Sequence, residues 1–140
     1  MLVDVVAKNG NLLLDIGPGP DGEWHQEAYD RLKEVGAWIK TNGEAIYNTK
    51  PVAPYRQDKW AYTGKGKALY ATYLPEEKEM KLNAIVSFLV PSAANNVNVT
   101  LLGIKRPLKW KKAGDKIEVI IPEAVAQQLA GQPAWVFRVI

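Results

Sequence analysis

Residues 12–22, Leu-Leu-Leu-Asp-Ile followed by two glycines, two prolines and Asp-Gly, constrain this chain more than any other stretch. Leu12-Leu13-Leu14 is apolar on both faces. That is the pattern of a strand buried on both sides in a parallel sheet, rather than half-exposed in an antiparallel one. Gly17-Pro18-Gly19-Pro20-Asp21-Gly22 then stops it, because proline cannot donate to a ladder and glycine permits the turn. The spacing predicts a helix over 25–42, with Ala28, Leu32, Val35 and Ile39 as an apolar stripe at steps of four, three and four. Glu23 and Glu27 suit its positive start, Lys40 its negative end, and Asn42-Gly43 a left-handed stop. Strand, Gly-rich loop and helix make one βα unit. Such a unit cannot bury its strand alone, and the residues before it supply no second strand.

Everything after residue 48 reads as β. Thr49 to Gln57, with Pro51 and Pro54, is the connecting segment. Runs of alternating character follow: Trp60 to Tyr62, Ala68 to Leu74, Lys81 to Val90 (ended by Pro91), and Val97, Val99 and Leu101 set against Asn96, Asn98 and Thr100. Leu108 and Trp110 precede a turn at Ala113-Gly114-Asp115, Ile117, Val119 and Ile121 follow it, and Ala134 to Ile140 is the last run. Glu123 to Ala130 is predicted as one or two helical turns. Strands without intervening helices point to an antiparallel sandwich. The expected fold is therefore mainly β: an antiparallel β-sandwich over 49–140, preceded by a βα remnant over 1–48.

The charge balance changes sign near the same place. Residues 1–50 hold five Lys/Arg against eight Asp/Glu, a balance of −3, inside a chain whose net charge is +3. The basic second part reads as lysines on the outward faces of strands. No aromatic–basic interleaving on one face argues for nucleic acid. Cysteine is absent, which removes disulfides and thiolate metal sites. No apolar run reaches the length of a membrane helix. Asp4 interrupts the first apolar residues and Lys8 follows them, so the start does not read as a signal peptide.

Two strings are specific enough to compare with a family. "LVDVVAKNGNLLLDIGPGPDG" and then "RLKEVGAWIKTNGEAIYNT" resemble the end of the catalytic domain in α-L-fucosidases of glycoside hydrolase family 29. "LYATYL", "VTLLGIKRPLKW" and "AWVFRVI" resemble that family's C-terminal β-sandwich. The chain departs from the family pattern at Asp15, where Asn is common, and at Trp24-His25, where Ile-Pro is usual.

The resemblance implies that Leu12 to Ile16 is the last strand of a (β/α)8-like barrel and 25–42 its final helix. It implies a C-terminal portion of a retaining exo-glycosidase that removes terminal α-L-fucose from fucosylated glycans without a cofactor. Such enzymes use two carboxyl groups about 5 Å apart. In the family the nucleophilic aspartate lies on an earlier strand, and no position here matches its motif. No catalytic residue is assigned, and the chain alone is expected to be inert. The whole protein is expected to be secreted or periplasmic, and the barrel remnant to offer a surface for self-association.

Asp15 stands where barrel enzymes place their sites, at the C-terminal end of a strand. It either lines the sugar pocket or accepts N–H bonds from the loop. Sugar faces pack on indole rings, so among the five tryptophans Trp60 and Trp110, and also Trp135, are candidates for a sugar platform, with core burial as the alternative. That platform would suit a non-catalytic carbohydrate-binding or structural module, the rival reading. His25 is the only histidine, and no metal site is expected. Glu76, Glu77 and Glu79 read as a solvated loop, the Gly/Pro loop lacks the residues of a phosphate cradle, and Asn98-Val99-Thr100 is a glycosylation acceptor by pattern.

Overall fold

The structure, a computed structural model, describes residues 1–90 and 97–140. Pro91 and Asn96 lie outside the described residues. In chain order the elements are α1 (Leu2–Ala7), α2 (Gln26–Asn42), a 3-10 turn (Gly43–Ala45), β1 (Lys50–Gln57), β2 (Trp60–Lys65), β3 (Ala68–Tyr73), β4 (Ile85–Leu89), β5 (Val99–Leu101), β6 (Trp110–Ala113), β7 (Lys116–Ile120), α3 (Glu123–Gln128) and β8 (Trp135–Val139). The strands form a five-stranded sheet ordered β1-β2-β3-β8-β5 and a three-stranded sheet ordered β4-β7-β6. All six described pairings are antiparallel. The predicted sandwich is what forms.

Alternation along β2, β3 and β8 sends two sets of side chains to opposite sides of the larger sheet. Trp60, Tyr62, Ala71, Trp135 and Phe137 face the smaller sheet and meet Val86, Phe88, Ile117 and Val119 in the main core. Ala61, Tyr70 and Val136 face the other way and are covered by Val3, Ala7, Trp38 and Ala45. The helical segments thus form a third layer. Two polar contacts anchor it: Trp38 Nε1 donates to the Ala134 carbonyl at 3.0 Å, and Thr63 Oγ1 donates to the Ala45 carbonyl at 2.8 Å.

Three expectations need correcting. The segment expected to connect is β1, a strand despite Pro51 and Pro54. Among the described residues it is an edge strand paired only with β2, and its register shifts between Pro51 and Arg56, with Tyr55 at φ 64°. Edges and bulges are where proline is tolerated in sheets. Second, Leu12 to Ile16 carries no strand, and Leu13 and Leu14 are 90% and 54% exposed. A strand needs ladder partners for its N–H and C=O groups, and no described strand lies beside it. Third, the helix forms one residue short of its predicted start, but its apolar stripe is largely uncovered. Val35 is exposed and Ala28, Leu32 and Ile39 are only half-buried; Trp38 and Asn42 alone in α2 are buried.

Candidate functional site

The loop before α2 carries exposed Asp15, Asp21, Glu23, Trp24 and His25. Asp15 is exposed, and no hydrogen bond or ion pair engages its carboxylate among the described residues. The carboxylate that does organise the loop is Asp21, which accepts the Glu23 N–H at 3.1 Å. Gly19 N–H donates to the Glu23 carbonyl at 2.7 Å and Gly22 N–H to the Gly19 carbonyl at 3.0 Å, with Gly22 at φ 80°. Asx turns and a glycine at positive φ fix such a loop locally. The result is a closed bend that delivers Glu23, Trp24 and His25 to the start of α2. His25 is the residue that caps α2, and its side chain makes no capping bond.

At the end of that bend Trp24 and Tyr29 pair across the helix start, their ring centroids 5.5 Å apart and tilted by 48°. The Tyr29 hydroxyl donates to Glu23 Oε2 at 3.2 Å. The sequence reading overlooked Tyr29 and used Glu23 only as a charge near the helix dipole. The available signal was two aromatic residues straddling a helix start beside an acid.

The tryptophans expected as a sugar platform in the sandwich are largely packed into it. Trp60 is only 7% exposed, with Tyr73, Phe88 and Phe137 centroids at 5.0, 4.7 and 5.6 Å. Its ring packs among the core aromatics, which leaves little of it at the surface. Trp135 is likewise buried, its Nε1 donating to the Leu129 carbonyl at 2.9 Å. Trp110 is half-buried on β6, an edge strand, where it packs on the core and donates from Nε1 to the Val97 carbonyl at 3.0 Å. Both faces of the larger sheet are covered, so alternation could not tell a free ring from a packed one.

The acidic loop is an ion-pair cluster. Lys59 Nζ stands 2.8 Å from Glu79 Oε1 and 3.1 Å from Glu76 Oε1, and the Tyr73 hydroxyl donates to the same Glu79 oxygen at 3.1 Å. The bond to Lys59 lowers the Glu79 carboxyl below its ordinary value, and the bond to Glu79 raises the Lys59 ammonium. Among the described residues no group of three or more His, Cys, Asp or Glu could hold a metal ion. None of their helices is long and apolar enough to cross a membrane.

One buried hydroxyl yields a pH prediction. Tyr62 is fully buried and its oxygen accepts the Leu89 N–H at 3.2 Å. Burial pushes its pKa up to about 12, Asp58 adds to that, and the Leu89 bond opposes it. A folded-state pKa above the unfolded one means stability that is complete below pH about 10 and lost as pH rises from there through about 12. The loss from this group is on the order of 2 kcal/mol. Denaturation midpoints measured from pH 8 to 12 should fall on that schedule. Tyr62→Phe should flatten the fall, and an unchanged slope would remove Tyr62 as its cause.

Comparison with known proteins fixes the kinship. Residues 1–44 match the family model described as alpha-L-fucosidase, and residues 55–140 match the alpha-L-fucosidase C-terminal domain. The chain belongs to the alpha-L-fucosidase family. It is 37% identical to an alpha-L-fucosidase of Branchiostoma floridae over 99% of this chain and 31% of that protein. It is 38% identical to the tissue alpha-L-fucosidase of Bos taurus over 98% of this chain and 29% of that one. Alpha-L-fucosidase isoenzyme 1 from Paenibacillus thiaminolyticus superposes with a TM-score of 0.76 at 30% identity, over 98% of this chain and 32% of that one. The chain thus spans about a third of the length of the relatives it matches. It corresponds to their C-terminal β-sandwich and the segment before it.

Proposed function

We propose that this chain is the C-terminal part of a retaining exo-glycosidase that hydrolyses terminal α-L-fucosyl linkages, its β-sandwich serving as a structural, accessory domain. The observation that carries the reading is the consecutive match of two fucosidase models across one chain. On this reading residues 1–48 are the end of a (β/α)8-like barrel and 49–140 the sandwich. The uncovered Leu13, Leu14 and Val35 support it, because a strand and helix of a barrel present such groups to neighbouring strands and helices.

The chemistry asks for a carboxylate that attacks the anomeric carbon and a second that protonates the leaving oxygen and later activates water. By the family pattern the nucleophile belongs to an earlier barrel strand, so the present chain alone is inactive. Asp15, exposed and unengaged among the described residues, is assigned to the rim of the sugar pocket at the C-terminal end of its segment. The glycan is met through the barrel. The rival, a sugar-binding sandwich acting alone, loses its chief anchor because Trp60 is packed in the core. Relatives named plasma alpha-L-fucosidase support a secreted or periplasmic location for the whole protein. The partly uncovered stripe supports pairing of the isolated chain through its first 45 residues.

A fluorogenic α-L-fucoside tests this. The full-length protein should release fluorophore, and no turnover beyond buffer would end the claim. This chain alone should give none; release by it would refute the missing-nucleophile argument.

A further inference from the structure

We propose that Trp24, Tyr29 and Glu23 form a saccharide platform at the mouth of the active site, which holds the sugar next to the fucose while the bond is cut. The inference rests on the fucosidase reading above for where the loop stands, since in barrel enzymes the segment between a strand and its following helix rims the catalytic face.

The local geometry is that of a recognition surface. The two rings are 39% and 43% exposed, yet they are held in one tilted arrangement 5.5 Å apart. Aromatic rings offer large contact area at low conformational cost, and the apolar C–H face of a pyranose packs on them as on another ring. Beside them the Tyr29 hydroxyl fixes one oxygen of the Glu23 carboxylate at 3.2 Å. The other oxygen has no protein donor among the described residues and is open to a sugar hydroxyl. Aromatic area with a few placed polar groups is the usual composition of a ligand site. The bend from Gly19 to Glu23 is closed by its own hydrogen bonds, so the platform is set before a sugar arrives.

Two observations argue against these rings being mere packing surface for another layer. At about 100° per residue, Tyr29 stands on the side of α2 opposite Trp38, which is the residue that docks the helix on the sandwich. It stands about a quarter turn from the centre of the stripe Ala28, Leu32, Val35, Ile39, the face a neighbouring helix or strand would cover. Second, the pair carries an ionisable carboxylate, and burying that group against an apolar layer is costly without a cation. Facing water and sugar hydroxyls, it is solvated or satisfied.

The test uses the full-length enzyme and two kinds of substrate: α-L-fucosyl fluoride, which has no neighbouring sugar, and α-1,2-, α-1,3- and α-1,6-linked fucosyl disaccharides. For the disaccharide turned over best, Trp24→Ala should lower kcat/KM about tenfold more than for the fluoride, mainly through KM. Trp24→Phe should restore most of the loss. Equal losses on both substrates, or none on the disaccharide, would overturn the platform. If the unaltered enzyme turns over neither substrate, the fucosidase reading fails by itself. Calorimetric titration with the same disaccharides then decides the platform: saturable binding lost in Trp24→Ala supports it, and no binding or equal binding overturns it.

Discussion

Replacing Phe137 by alanine is expected to bring the sandwich to the edge of unfolding. Phe137 lies on β8, which pairs with β3 on one side and β5 on the other, so it occupies the interior of the five-stranded sheet. It is completely buried, and the Trp60 and Phe88 centroids lie 5.6 and 5.4 Å from its own. Those rings come from different sheets, so Phe137 joins the two layers. Truncating a buried phenylalanine to alanine costs about 3–5 kcal/mol, because the apolar transfer energy is lost and a cavity remains. Small domains have about 5–15 kcal/mol in total. A urea titration should therefore show the midpoint collapsing for Phe137→Ala and falling only modestly for Phe137→Leu, which keeps most of the volume. A loss under about 1 kcal/mol for the alanine variant would mean that this ring does not join the sheets.

The features legible in the sequence were those governed by short-range rules. The helix was readable because its stripe and acidic start lie within one segment, and it forms over Gln26–Asn42; the left-handed stop expected at Gly43 does not form, since Gly43 stays right-handed at φ −60° and opens the 3-10 turn. The β character after residue 59 was readable from alternation and turn residues. Three features depended on partners far along the chain. Pro51 and Pro54 disguised β1, whose edge position is set only by how the other four strands assemble. Leu12 to Ile16 has the composition of a strand, but a ladder requires a neighbour, and composition cannot provide one. Trp60 looked like a possible sugar platform because period two says which side chains share a face and not what covers that face. Here the inner face meets the second sheet and the outer face meets α1 and the end of α2. In the candidate site, the position of Asp15 at the end of the apolar run was readable, and the structure adds only that its side chain is exposed. The Trp24–Tyr29 pair was not, because the two residues contact across a change from loop to helix that follows neither periodicity.

The same split between local and distant contacts predicts what Trp38→Ala will do. Of the α2 side chains only Trp38 and Asn42 are buried, and the Asn42 amide is spent on the Trp38 carbonyl. The helix is therefore held on the sheet chiefly by one indole, with Ile39 packed beside it; the indole lies in one cluster with Ala134 and Val136 and donates its N–H to the Ala134 carbonyl. Truncation removes that packing, worth about 3–5 kcal/mol, and leaves a buried carbonyl short of its donor at about 1–3 kcal/mol more. Phe137 and its neighbours sit on the other side of the sheet and lose nothing directly. The expected result is local release: in hydrogen exchange on this chain the α2 amides should lose their protection, while the amides of β3 and β8 keep most of theirs. Trp38→Phe, which keeps a ring but not the donor, should fall between. Protection surviving in α2 would show that the helix has another anchor. Sheet and helix exchanging together would show that the third layer and the sandwich are one cooperative unit, and that the boundary placed near residue 48 is not a boundary in stability.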